Sequence, residues 1–142
     1  MQNFIPLSIP NFEGNEKKYV DEAVDQGWVS TGGTFVEKLE NDLGNYVNSK
    51  AVACQSGTSA IHLALIDARV GTDDIVIVPT LTFIAAINPV KYVGAEPVFM
   101  DCDDTLCMDS IKLNEFCENE CYFEQGILKH KKTGHIVKAI IV

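Results

Sequence analysis

Over the first fifty residues the apolar positions recur at helical spacing. Val20, Ala23 and Val24 cluster between Asn15 and Gln26, with Lys17, Asp21, Glu22 and Asp25 around the rest of the cylinder, which predicts one helix. Gly27 stands where a left-handed residue would end it, and Trp28–Gly33 reads as a loop. Val36, Leu39, Leu43 and Val47 form a single apolar stripe, so a second helix is predicted from about Thr34 to Tyr46.

From Ala51 onward the pattern changes. Ala51–Cys54, Ile75–Val78, Pro97–Met100 and Lys138–Val142 are short apolar runs without polar alternation, the pattern of strands covered on both faces. Between them lie an apolar helix over Ala60–Val70 and a helix over Thr82–Val93, bent by Pro89 and ended by Gly94. A short helix capped by Asp109 or Ser110 runs to about Glu118, and Tyr122–His135 reads as a hairpin around Lys132-Thr133-Gly134. Alternating strands and helices predict the α/β class: a three-layer, mainly parallel sheet that includes all four runs. The expected organisation is an N-terminal helix and loop over residues 1–33 and a larger, incomplete domain over residues 34–142. The last strand runs to Val142 with no turn or polar tail, so the chain is expected to be an N-terminal piece of a longer protein.

Composition narrows the function classes. The 142 residues include 11 basic and 20 acidic ones, a formal net charge of -9, which excludes an unaided nucleic-acid binder because no excess of cations exists to neutralise phosphates. No apolar run approaches the roughly 18 residues of a membrane helix, so no membrane association is expected. Residues 1–10 lack the basic and apolar regions of a secretory signal. Five cysteines, an odd number, then favour reduced thiols and a cytoplasmic protein.

The most informative stretch for chemistry is Cys54-Gln55-Ser56-Gly57-Thr58-Ser59-Ala60. A strand stops, a glycine permits close approach, and two hydroxyl residues open a helix, whose free N–H groups and dipole favour an anion. Gly57, Thr58 and Ser59 are therefore candidates for a phosphate cradle; the same residues also read as a plain capped helix start. Neither a P-loop nor a dinucleotide fingerprint is present. Pro79-Thr80-Leu81-Thr82-Phe83 follows another strand on the same side of the sheet, where Phe83 either stacks on a flat ligand or belongs to the core.

Other groups are weaker candidates. Cys117, Cys121, His130 and His135 are spaced too tightly for a zinc finger, since only eight residues separate the pairs and the histidines do not lie on a helix, so no metal is expected there. Cys102 and Cys107 flank an acidic turn and give a weaker pattern still. Asp101, Asp103 and Asp104 read as a solvated turn in preference to a divalent-metal site, and His62 as a core or interface histidine.

Four segments together resemble the DegT/DnrJ/StrS family of sugar aminotransferases. They are Trp28–Gly32, Ser56–Leu65, Pro79–Phe83 and Gly94–Asp101, in family order and spacing. The segment between Glu120 and Lys138 is similar to the branch acting on nucleotide-activated sugars of the legionaminic or perosamine type. The resemblance implies the large domain of a fold-type I aminotransferase, pyridoxal phosphate as cofactor, a keto nucleotide-sugar substrate for surface glycans, an amino-acid donor and a homodimer. By position it places Gly57, Thr58 and Ser59 on the cofactor phosphate, Phe83 on the pyridine ring, and Ser30, Thr31 and Gly32 on the sugar side. In the family the aspartate that meets the pyridine nitrogen and the Schiff-base lysine come later in the chain, and none of the eleven basic residues here sits in the lysine motif. No catalytic residue is therefore assigned, and this chain alone is expected to be inactive. A sugar dehydratase of the same family and a non-catalytic module for a phosphorylated ligand are the alternatives.

Overall fold

The computed structural model describes residues 4–28, 30 and 32–142. The chain divides into two compact units, Met1–Ala53 and Cys54–Val142.

The first unit holds helices α1 (Glu16–Asp25) and α2 (Thr34–Val47), where the apolar periodicity puts them. Gly27, at φ +73°, allows the chain to leave α1, and the Trp28 N–H returns to the Ala23 carbonyl at 3.0 Å. Tyr19 of α1 meets Phe35 of α2 with ring centroids 5.5 Å apart. Gly33 precedes α2 at φ +149°, a region hostile to side chains, and an added Cβ would sit 3.3 Å from Trp28 Cβ. Ala51–Cys54 is a departure from the predicted sheet: it forms no strand. Val52 is exposed, and the Ala53 N–H that a ladder would need is taken by the Glu40 carboxylate at 2.8 Å.

The second unit is three-layered. It contains α3 (Gly57–Asp67), β1 (Asp74–Pro79), α4 (Ile84–Tyr92), β2 (Glu96–Met100), α5 (Ser110–Glu120), β3 (Cys121–Glu124), β4 (Ile127–His130) and β5 (Ile136–Ile140). The strand order is β2-β1-β5-β4-β3, with β2 and β5 parallel to β1 and the β3–β4 pair antiparallel. Ile75, Val76, Ile77 and Val78 are all completely buried. Val76 and Val78 pack with Leu65 of α3 and Val90 of α4; Ile75 and Ile77 pack on the other face with Leu113 and Phe116 of α5. Strand alternation thus sends one sequence into two cores.

The hairpin is a second departure. Its turn is Gln125-Gly126, both at positive φ (52° and 81°), the two-residue turn that matches strand twist. Lys132-Thr133-Gly134 instead lies in the connection from β4 to β5, where Gly134 N–H bonds the His130 carbonyl at 2.8 Å. Just before it, Lys131 Nζ donates to the Glu118 and Asn119 carbonyls at 3.1 and 2.6 Å, closing the C-terminus of α5. Helix α5 starts on Asp109, whose carboxylate accepts from the Ile111 and Lys112 N–H groups.

Two outcomes test this packing. Replacing Ile77, buried between β1 and α5, by valine should cost about 0.5–1.5 kcal/mol in urea unfolding, and by alanine about 2–5 kcal/mol. Lys112 Nζ lies 2.6 Å from Asp101 and, with the Cys102 N–H, holds that carboxyl below its ordinary range. A depressed folded-state carboxyl stabilises above the unfolded pKa of about 3.9, and the contribution disappears as pH falls through the folded value. The Lys112→Met variant should therefore lose stability less steeply than the parent through the acid limb, read by circular dichroism against pH.

Candidate functional site

The candidate phosphate cradle is built by the start of α3. Ser56 is extended, at φ -159° and ψ 159°, and caps the helix by accepting the Ser59 N–H on Oγ at 3.2 Å. The two hydroxyls also meet, Ser56 Oγ to Ser59 Oγ at 3.1 Å. The next helical bond runs from Ala60 N–H to the Ser56 carbonyl at 3.0 Å. The Ser59 N–H, expected to be free, is thus already engaged by its own cap. Among the described residues the N–H groups of Gly57 and Thr58 have no protein acceptor. A Cβ on Gly57 would meet nothing within 4 Å, so the backbone there is open on the side a side chain would occupy.

Phe83 precedes the first residue of α4 in extended conformation, and its side chain is 81 % exposed, so it is not a core residue. The loop carrying it is tied down by Thr80, whose N–H and hydroxyl both donate to the Met100 carbonyl, at 2.9 and 3.3 Å. Only its position after Pro79 marks Thr80 in the sequence, and the sequence reading gave it no role of its own. Helix α3 leads back into β1 and α4 leaves it; the two helices pack on the same face of that strand. Both helix starts therefore lie at the end of the sheet where β1 and β2 finish. Gly57, Thr58, Ser59 and Phe83 share that end. Ser30 and Gly32 are exposed and belong to the first unit; Thr31 lies outside the described residues.

The residues that invited a metal reading have other partners. Asp101 is paired with Lys112, and Asp103 accepts from the Thr105 N–H at 2.8 Å and from its hydroxyl, bonds that hold its carboxyl below the ordinary range. His130 stacks on Phe116 at 6.0 Å and bonds Thr133. His135 lies between Asp73 and Glu96, at 3.6 and 3.4 Å. Burial pushes the Cys117 and Cys121 thiols up, and all five cysteines are free. Among the described residues no three histidine, cysteine or acidic side chains are arranged to hold a metal ion. His62 meets Tyr92 edge to face at 5.5 Å, joining α3 to α4.

The donor set fits a phosphate: two free N–H groups, the Thr58 hydroxyl beside them, a helix start and no carboxylate within the Ser56–Ala60 turn. The model of the DegT/DnrJ/EryC1/StrS aminotransferase family matches residues 10–138. The chain belongs to that family. A GDP-perosamine synthase of Caulobacter vibrioides is 44% identical over 111 residues, covering 77% of this chain and 30% of the synthase. The solved family aminotransferase from Brucella abortus superposes with a TM-score of 0.70 at 31% identity, over 87% of this chain and 31% of that one. A GDP-4-keto-6-deoxymannose-3-dehydratase, solved with a trapped PLP-glutamate geminal diamine, gives a TM-score of 0.69 at 26% identity, over 78% of this chain and 30% of that one. The chain thus spans about three tenths of the length of these family members. No helix of the described residues is long and apolar enough to cross a membrane.

Ser56 and Gly57 should separate stability from binding. Ser56→Ala removes the cap and should cost about 0.5–2 kcal/mol in thermal or urea unfolding. Gly57→Ala meets open space at a helical position and should keep the fold intact, stabilising it by up to about 1 kcal/mol. The added methyl group crowds an anion that approaches the Gly57 backbone, so phosphate binding, followed by amide shifts in NMR, should weaken in Gly57→Ala.

Proposed function

We propose that this chain supplies the cofactor-phosphate and sugar-side elements of a pyridoxal-phosphate-dependent nucleotide-sugar aminotransferase. The observation that carries the reading is the pair of free N–H groups at Gly57 and Thr58, at the sheet end that also bears the exposed Phe83 ring, in a chain of this family. The 44% identity to a GDP-perosamine synthase, against 26% to the dehydratase, favours amination of a keto nucleotide-sugar over dehydration.

Pyridoxal phosphate, when bound, supplies the electron sink that lets an amino group and a carbonyl exchange. The chain's own share is holding and orienting. The Gly57 and Thr58 N–H groups and the Thr58 and Ser59 hydroxyls donate to the phosphate, and Phe83 covers one face of the pyridine ring. Ser30, Thr31 and Gly32 line the sugar side. An amino acid is the donor, the working form is a homodimer with the site at its interface, and the compartment is the cytoplasm, in keeping with five free thiols.

The magnitudes set the expected affinity. A phosphate at a helix start gains about 0.3–1 kcal/mol from the dipole, and each charge-assisted hydrogen bond about 1.5–3 kcal/mol. A stacked ring adds about 0.5–1.5 kcal/mol, and immobilising the ligand costs several kcal/mol, on the order of 4 or more. At the lower end of these ranges the balance is about 3 kcal/mol, so pyridoxal phosphate is expected to bind this chain weakly, at roughly millimolar concentration. The test is an NMR titration with pyridoxal phosphate and with pyridoxal, followed by borohydride trapping and an assay for amino transfer. Shifts at the Gly57 and Thr58 amides that require the phosphate, with no transfer activity, are the expected result. Their absence would refute the cradle; a stoichiometric reduced adduct at one lysine would refute the affinity argument.

A further inference from the structure

The loop that carries Phe83 leaves the sheet at the end of β1. Pro79, matched to Met100 of β2, closes the ladder and has no N–H to donate. Thr80 supplies what Pro79 lacks, and does so twice: its N–H and its hydroxyl both donate to the Met100 carbonyl, at 2.9 and 3.3 Å. Among the described residues Thr80 is the last one bonded to the sheet before the ring. Asp101 follows that carbonyl, and its carboxylate is fixed at both oxygens. Oδ1 accepts the Cys102 N–H at 2.9 Å, and Oδ2 accepts the Lys112 ammonium at 2.6 Å. The Asp101 carbonyl accepts the Asp109 N–H at 2.9 Å, which ties the end of β2 to the cap of α5 and sets Lys112, on the first turn of that helix, within reach. Lys112, the Cys102 N–H and, more weakly, the Thr80 hydroxyl hold the Asp101 carboxyl below its ordinary range, so the hydroxyl faces the carboxylate as well as the carbonyl. An ion pair this exposed adds little to stability. Its effect is to fix where the Asp101 carboxylate stands beside Thr80.

We propose that Thr80 is a positioning residue for the cofactor ring: its hydroxyl, held between the Met100 carbonyl and an Asp101 carboxylate fixed by Lys112, sets where Phe83 stands. The proposal rests on the reading of Phe83 as the face on which a pyridine ring stacks. Stacking requires centroids about 4.5–7 Å apart in a limited set of orientations, so a ring three residues from its anchor serves only if the anchor does not swing. One backbone bond is a pivot; a second contact, from the side chain, removes the rotation. Thr80, Asp101 and Lys112 all lie outside the Ser56–Ala60 turn, so support of the ring is separable from support of the phosphate.

The test is NMR on the purified 142-residue chain, first without ligand, then with pyridoxal and, separately, with inorganic phosphate. Without ligand, Thr80→Val keeps the N–H and the shape but not the hydroxyl. It should lower the amide order parameters of Leu81–Phe83 from the rigid range near about 0.85 toward about 0.6, and Thr80→Ser should restore them. Asp101→Ala and Lys112→Met should each produce part of that loss from outside the loop. Pyridoxal binding, followed at the Phe83 ring, should weaken about three- to tenfold in Thr80→Val and recover in Thr80→Ser. Phosphate-induced shifts at Gly57 and Thr58, and the amide positions of Ile75–Val78, should not change; a general loosening of the fold would move them all. Order unchanged in Thr80→Val, or lost equally in Thr80→Ser, would overturn the proposal whatever the ligands do. Order unchanged in both Asp101→Ala and Lys112→Met would overturn it too, and these two positions decide the matter should Thr80→Val not fold. A Phe83 ring that never responds to pyridoxal in the parent chain would instead overturn the cofactor reading, with Thr80 still the anchor of the loop.

Discussion

Strand β1 must be dry on both faces and paired on both edges, and the rest of the second unit is arranged around that requirement. Its four residues Ile75–Val78 have no solvent exposure. Each needs an apolar partner, and the alternation of a strand divides them between α3 and α4 on one side and α5 on the other. Asp74, buried at the head of the strand, is tolerated because its carboxylate accepts the Gly71 N–H at 2.9 Å. Since α3 and α4 pack on the same face of one strand and are joined to its two ends, their N-termini are brought to a common end. The placement of the candidate cradle beside Phe83 follows from that packing and needs no direct contact between the two.

Within the cradle the local physics divides the donors. A helix start leaves several N–H groups without partners, and the cap here satisfies one of them through Ser56 Oγ. The cap spends the Ser59 N–H on stability and leaves those of Gly57 and Thr58 for a ligand. Glycine at the first helical position is costly for a helix and useful only if something approaches closely. Open space in front of Gly57 is therefore the more telling observation than the cap, which any helix of this length could use.

The opposite region of the second unit is held by charge and by capping. Lys131 closes the C-terminus of α5, and its backbone N–H bonds the Glu120 carbonyl at 2.8 Å, so the β3–β4 hairpin is fastened to the helix that precedes it. His135 sits between carboxylates from the heads of β1 and β2, where all three parallel strands begin. These contacts anchor the Glu120–Lys138 segment without touching the end of the sheet that carries Gly57 and Phe83.

The sequence by itself determined the α/β class, both N-terminal helices, strands β1 and β2, a helix cap at Asp109 or Ser110, and the residues from which a cradle would be made. Those features depend on periodicity, turn chemistry and capping, which are local and leave a trace every two to four residues. Tertiary structure decided whatever needed a distant partner. Ala51–Cys54 has the composition of a strand, but a ladder requires a neighbour, and its Ala53 N–H went to Glu40 instead. The hairpin turns at Gln125-Gly126 and not at Thr133-Gly134: both stretches end in glycine, and only the pairing of Cys121 with His130 tells them apart. Whether Phe83 lay in the core or at the surface was likewise open, because an aromatic residue after a strand suits either until the packing of α4 is known. The Ser59 N–H was decided by a hydroxyl three residues away that could have pointed elsewhere. Local pattern specifies what a segment can form; which of its donors, edges and rings remain free depends on what the folded chain has already used.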